Sequence, residues 1–376
     1  MKDKILFFRI WPDPPIARSV SEMLAKQFTD HRIDIIDIWR LIRQNKLVII
    51  INSLYVLWWY WADILFRGMN MKAAFFRTKY LFNYVKELAI QKSRQSEKIA
   101  FSFQLQSIFD TSIPGISNFI YTDHTHLANL LYSEPGKVKL YSAEWIGLEK
   151  TIYSNAALIF TRSTNISRSL IEQYGIAAEK VKCVFAGINM PARKLGTINE
   201  GYTNQVILFV GADWKRKGGP TLIDAFKRIS HRHPNAILKI IGCNPKINHP
   251  QIKVLGKRHI SELAQYYHSA SIFCMPSVNE PFGAVFVEAM EHALPIVATA
   301  TGAIPDMVRD CWNGYLINPG DVDGLSSALD QLLSDPEQCR KFGQNGKSQV
   351  DKNYNWQAVG EKINKAVLER LKELSS

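Results

Sequence analysis

The stretch SIFCMPSVNEPFGAVFVEAMEHALPIVATAT, residues 271–301, reads as strand, loop, helix and strand in succession. SIFCMPS (271–277) and PIVATAT (295–301) are short, β-rich runs. Between them a loop bears Glu280, and Pro281-Phe282-Gly283 opens a helix that bears Glu288. A strand that returns through a helix to a second strand makes a parallel pair. The same alternation runs the length of the chain. Upstream lie KILFFRI (4–10), RIDIIDI (32–38), NFIYTD (118–123), ALIFTRS (157–163), VILFVGA (206–212) and AILKIIG (236–242), and downstream lies GYLINPG (314–320). Helical patterns such as PTLIDAFKRISHRH (220–233) separate them. The fold class is therefore α/β, built on doubly wound parallel sheets.

With 376 residues, the chain has the length of two domains. MPARKLGTINEGYTNQ (190–205) has no apolar period and reads as a linker. The expected organisation is a domain over 1–190, a linker over 191–204, a second domain over 205–355 and a terminal helix over 356–376. Two such domains place their ligand sites at the carboxyl ends of the strands, facing one another across a cleft.

Composition excludes a disordered tail, a fibre and a disulfide scaffold: 47% of residues are hydrophobic and 21% charged. Five cysteines without a C-x-x-C spacing fit a reduced, cytoplasmic setting and support neither a zinc site nor a redox motif. The N-terminus has only Ile5 to Phe8 as an apolar run, too short for a signal peptide. The net charge of +12 calls for a polyanionic partner. Residues 1–190 hold 24 Lys/Arg against 16 Asp/Glu, and Arg67 to Arg94 alone hold seven basic residues and one acid. That basic run follows LVIIINSLYVLWWYWADILF (47–66), in which 17 of 20 residues are apolar or aromatic. Tryptophans, apolar bulk and basic charge together mark 47–94 as a candidate surface for anionic lipid. Asn52, Ser53 and Asp63 interrupt the run and speak against a membrane span. A helix packed against the domain is the plainer alternative. No docking motif for nucleic acid is present, and none is expected as a partner.

Carboxylates accept hydrogen bonds from the hydroxyls of ribose and hexose, and the helix start at Gly283, Ala284 and Val285 offers amides to a phosphate. Read alone, Glu280 and Glu288 could equally be an ordinary loop acid and an ordinary helix acid. Their surroundings resemble the retaining nucleotide-sugar glycosyltransferases of family 4, which have a GT-B fold. The resemblance rests on the P-S-x-x-E-x-F-G-x-x-x-x-E block from Pro276 to Glu288, the turn Thr301-Gly302-Ala303-Ile304-Pro305-Asp306 and the run from Asn313 to Asp321. Upstream, VGADWKRKGG (210–219) supplies a strand, a glycine and a lysine-glycine pair. It covers 205–360 in order.

The resemblance implies that Glu288 binds the donor ribose, Glu280 contacts the donor sugar and Lys217 neutralises the diphosphate. A fixed cation suits a leaving group that develops negative charge. No metal or other cofactor is implied, and Asp321-Val322-Asp323 reads as a helix cap. YTDHTHLANL (121–130) resembles the segment that carries the family's active-site histidine, with His124 the first choice and His126 the second. Arg162, Ser163 and Asn165 are further lining candidates. Phe282, Thr301 and Asp13 join the substrate-binding set. Two departures stand out. Ala212 occupies the place of a family arginine, which Lys215 or Arg216 could replace from the loop. Trp11-Pro12-Asp13-Pro14-Pro15-Ile16 replaces a glycine-containing first loop.

These readings converge on a glycosyltransferase that moves a hexose from a nucleoside-diphosphate sugar to a glycan or lipid-linked acceptor. Its expected place is the cytoplasm, on the inner face of a membrane. An epimerase of the same architecture and a non-catalytic nucleotide-sugar-binding partner of another transferase are the alternatives.

Overall fold

The computed structural model describes residues 2–11, 15–96, 98–131, 140–189 and 201–375. The chain divides into two compact units, Met1–Phe185 with Trp356–Ser376, and Ala186–Asn355. In the first unit the order is β1 (Lys4–Arg9), α1 (Pro15–Gln27), β2 (Arg32–Asp37), α2 (Ile38–Gln44), α3 (Lys46–Arg67), α4 (Met71–Phe75), α5 (Lys79–Arg94), β3 (Ile99–Leu105) and β4 (Asn118–Thr122). Then follow α6 (Ala143–Ser154), β5 (Leu158–Thr161), α7 (Thr164–Arg168) and β6 (Val181–Cys183). The second unit holds β7 (Val206–Val210), α8 (Gly219–Ile229), β8 (Ile237–Ile241), β9 (Ile252–Gly256), α9 (Ile260–Ser269), β10 (Ile272–Met275) and α10 (Ala284–Glu291). It continues through β11 (Ile296–Thr299), α11 (Ile304–Met307), β12 (Gly314–Ile317), α12 (Val322–Ser334) and α13 (Pro336–Asn353), after which α14 (Trp356–Ser375) returns to the first unit.

Each unit is one six-stranded sheet, parallel throughout. The first has the order β2-β1-β3-β4-β5-β6 and reverses direction between β1 and β3. The second has the order β12-β11-β10-β7-β8-β9 and reverses between β7 and β10. In sheets of this kind, ligands bind outside the carboxyl ends of the strands where the order reverses. Every residue of β7, β10 and β11 is buried, as parallel strands covered on both faces require. Strand β3 carries Ser102 and Gln104 in the sheet interior, and both are satisfied. The Gln104 side chain donates to the carbonyls of Gln106 and Phe109, each at 2.7 Å.

Helix α3 begins at Asn45, whose side chain accepts from the Val48 amide at 3.3 Å, and ends at Gly68 in the left-handed region. Val48, Asn52, Val56 and Tyr60 recur every fourth residue and form its buried face. Asn52, the apparent interruption, pins this face. Its amide donates to the Phe75 carbonyl at 2.8 Å and its oxygen accepts from the Thr78 hydroxyl. The Tyr60 hydroxyl donates to the Arg77 carbonyl at 2.9 Å. The rest of the helix leaves Leu47, Leu54, Trp58, Trp61, Leu65 and Phe66 exposed, from 53% to 79%. By length and composition, Lys46–Phe66 could cross a membrane. The basic run after it is not one surface. Arg77 turns inward over the Tyr141 and Trp145 rings, and Lys86 reaches Asp110 at 2.7 Å.

The stretch read as a linker lies largely outside the described residues. Its end does not: Gly201–Thr203 form a turn in which Tyr202 is buried and donates to the Ala293 carbonyl at 2.7 Å. The terminal helix α14 packs on α1, where the Asn364 side chain donates to the Gln27 carbonyl at 2.8 Å. Val359, Ile363 and Val367 are fully buried, each worth about 1.5–3 kcal/mol.

Candidate functional site

The reversal between β7 and β10 gathers two loops. Residues 211–218 leave β7, and Pro276 to Gly283 leave β10. They lie so close that a side chain at Gly218 would put its Cβ 1.8 Å from the Pro276 carbonyl oxygen, and Gly218 has φ +73°. Only glycine meets both demands. The Val278 amide donates to the Arg216 carbonyl at 2.8 Å, and the Arg216 guanidinium donates to the Asn279 carbonyl at 2.9 Å. Next in sequence, Lys217 is buried and its ammonium donates to Glu280 Oε2, itself buried. The Ser277 hydroxyl donates to the same carboxylate oxygen at 3.4 Å. Burial pulls the Lys217 ammonium below its usual range, and the Glu280 carboxylate works against that shift. The result is one cation held at the mouth of the sheet by a carboxylate.

Gly283, at φ +80°, turns the chain into α10 and fits against the Glu280 side chain. Glu288 projects from α10 into a buried position, where the Tyr267 hydroxyl donates to its Oε2 at 2.9 Å. Burial raises the Glu288 carboxyl, with the Tyr267 hydrogen bond opposing. Tyr267 in turn stacks on His292 at 5.2 Å. Thr301 hydrogen-bonds back to the Val278 carbonyl at 3.4 Å.

In the first unit, a cavity of about 160 Å³ sits beyond β3 and β4 and is lined by Arg77, Ser107, Asp123, His124, His126 and Glu149, among others. His124 keeps Nδ1 without a hydrogen-bond partner, while its Nε2 lies 3.4 Å from the Asn129 amide. His126 is committed to structure: Nε2 accepts from the Tyr141 amide at 2.7 Å, and its own amide donates to Glu149 at 3.0 Å. Burial lowers both imidazoles, His126 to about 4. Asp123 pairs with Arg162 at 2.8 Å, and Arg162 Nε and one terminal nitrogen are left unpartnered.

Residues 196–349 match the family described as glycosyl transferases group 1. The chain carries a group 1 glycosyl transferase domain. Among relatives, MMP alpha-(1->4)-mannosyltransferase of Mycolicibacterium hassiacum is 29% identical over 232 residues, 57% of this chain and 55% of that protein. D-inositol 3-phosphate glycosyltransferase of Corynebacterium aurimucosum is 28% identical over 244 residues, 57% of each chain. The chain thus spans little more than half the length of these relatives. Among solved structures, sucrose-phosphate synthase of Thermosynechococcus elongatus superposes with a TM-score of 0.71 at 18% identity, covering 100% of both chains. HepE of Anabaena in complex with UDP-glucose does so with a TM-score of 0.64 at 16% identity, over 97% of this chain and 99% of that one. These likenesses establish the GT-B fold.

Within the group 1 domain, the structure brings Lys217, Arg216, Glu280, Gly283 and Thr301 to the paired loops, with Phe282 between Glu280 and Gly283. Ala284 and Val285 form the first turn of α10, whose leading amides lack partners within the helix. Lys215 stands exposed on the loop, whereas Arg216 is tied to Asp213 and Asn279. Asp13 lies outside the described residues. Asp321 caps α12, accepting from the Gly324 amide at 2.8 Å, and Asp323 pairs with Arg228. Among the described residues, no group of His, Cys, Asp and Glu is placed to hold a metal. Sequence reasoning missed Tyr267, which arrives on α9 from 21 positions upstream of Glu288. It also missed Arg77, counted there as surface charge. Gln106, at φ 70° beside His124, carries no sequence signal other than following a strand.

Proposed function

We propose that this chain is a retaining hexosyltransferase that takes a hexose from a nucleoside-diphosphate sugar and gives it to a lipid-linked glycan acceptor at an anionic membrane surface. The observation that carries the reading is the buried Lys217–Glu280 pair at the reversal point of the second sheet. A departing nucleoside diphosphate brings negative charge there, and a buried ammonium offsets it far more strongly than one in water would. The first amides of α10 add a second positive pole. Glu288, held by Tyr267, accepts from the ribose hydroxyls, and Glu280 accepts from the hexose. In the first unit, His124 Nδ1 is assigned a sugar hydroxyl. The diphosphate oxygen takes the proton of the incoming hydroxyl on the same face, so the configuration is kept. No metal enters this scheme. The exposed apolar flank of α3 supports the membrane part of the proposal, and five cysteines without a C-x-x-C spacing support its cytoplasmic side.

A thermal-shift panel of uridine, guanosine and adenosine diphosphate sugars tests the donor reading, because a bound ligand raises stability by mass action. One nucleotide family should stand out. With that donor, Lys217→Ala and Glu288→Ala should each lower turnover by about a hundredfold or more while the melting curve keeps its cooperativity. Near-wild-type rates in either variant refute the assignment.

A further inference from the structure

Tyr55 and Trp59 lie one turn apart on α3, and Tyr80, Asn83 and Glu87 recur at helical spacing on α5. Each helix therefore turns a mixed aromatic and polar face toward the other. Between them, with Glu144 of α6 at the rim, lies a cavity of about 530 Å³, within the range of small-molecule sites. It is separate from the cavity at His124, with no lining residue in common. Its wall is flat and aromatic. Tyr55 and Tyr80 stack with centroids 5.6 Å apart and planes inclined by 15°, and Trp59 is 56% exposed. Its rim is polar, with Asn83, Glu87 and Glu144 all exposed and Lys79 3.5 Å from Glu144.

The chemistry of the lining selects the occupant. A hydrocarbon chain would use the aromatic wall alone and make no hydrogen bond with Asn83, Glu87 or Glu144 at the rim. An anion would meet the two carboxylates of Glu87 and Glu144 against the single ammonium of Lys79, which already pairs with Glu144. A neutral polyhydroxylated ring satisfies both parts: its C–H faces lie on the aromatic rings, and its hydroxyls donate to the carboxylates and exchange hydrogen bonds with Asn83. Trp59 also belongs to the exposed flank of α3, beside Trp58. A sugar held in the cavity can thus carry an apolar tail onto that flank without leaving the helix.

We propose that the α3–α5 cavity is a carbohydrate-binding site that holds the glycan part of the acceptor. The assignment rests on the transferase reading for the word acceptor, but binding of a sugar there does not. The test uses the full chain without nucleotide, titrated by saturation-transfer NMR with methyl glycosides of glucose, galactose, mannose and N-acetylglucosamine, and with maltose, cellobiose and lactose. At least one should bind, with saturation strongest on ring C–H protons. Trp59→Ala and Tyr80→Ala should weaken it by about tenfold or more, while Trp59→Phe and Tyr80→Phe keep most of the affinity. Thermal melts of the variants check that the fold is intact. The proposal falls if no sugar of the panel binds, or if the alanine variants bind as the wild type does. The donor panel runs in parallel to separate the two readings. Donor binding with glycan binding indifferent to Trp59 and Tyr80 sinks the cavity alone. Glycan binding at the cavity with no nucleotide-sugar recognised sinks the transferase reading and leaves a sugar-binding site.

Discussion

His124 and His126 stand two residues apart and have opposite fates. His126 is held neutral by burial first, then by the charges of Arg77 and His124, at a pKa of about 4 against an ordinary 6.5. Between those values the unfolded chain binds the proton that the folded one refuses, so stability falls as pH drops from 6.5 toward 4. The full effect of this shift is about 3 kcal/mol, an upper bound for a side chain near the surface of a cavity. Glu149 beside it has its carboxyl raised by burial and pulls the other way, gaining as the solution becomes acidic. Thermal melts of wild type and His126→Gln between pH 7.5 and 4.5 separate the two. The wild type should lose more stability on acidification than the variant does, and parallel curves would contradict the assignment. His124, with an unpartnered nitrogen, has no structural task of this kind, and that contrast separates two histidines that read alike in HTH. Arg77 shows the reverse problem. In sequence it is one of seven basic residues, and only the junction of α4 and α5 turns it onto Tyr141 and Trp145.

At the level of elements, the loops after β7 and β10 were legible because their sequence signals are local: glycines at fixed positions, a proline, and a helix start. Tyr267 was not, since a tyrosine on an amphipathic helix looks like any core residue until the fold sets it against Glu288. Strand β3 was hidden by Ser102 and Gln104, whose partners come from the following loop and the neighbouring strand. Helix α3 was legible as a helix, but its orientation depended on Asn52, which reads as an interruption and acts as an anchor. Asn52→Leu therefore makes the helix more apolar and the protein less stable, by about 1–3 kcal/mol, because the Phe75 carbonyl and Thr78 hydroxyl lose their partner. Chemical denaturation of the two proteins measures it. A neutral or stabilising result would mean that α3 is not fixed to α4 and α5 through this side chain.

For the whole molecule, the charge of +12 resolves into separate tasks. Lys86 is committed to Asp110 and Arg162 to Asp123, so these charges are balanced inside the protein, while Lys217, paired with Glu280, is the cation proposed to meet the donor diphosphate. In the proposed reading, what is left over joins the exposed apolar side of α3, and association with an anionic membrane then has two components with different responses to salt. Co-sedimentation with vesicles of phosphatidylglycerol and phosphatidylcholine should be strong at low salt and weakened at high salt. With Trp58→Ser and Trp61→Ser together, it should be reduced at both. A protein that ignores anionic vesicles at every salt concentration would leave the excess charge with solvation as its only role. The path of the chain carries one more consequence. Because α14 packs on α1, the second unit is an insertion, entered after Phe185 and left before Trp356. Exchanging this unit between homologues by recombination therefore calls for two crossovers, with the last twenty-one residues (356–376) kept with the recipient. A single-junction chimera would join α14 from one parent to α1 from the other and mismatch the seam at Gly360, where Met23 and Gln27 leave no room for a side chain.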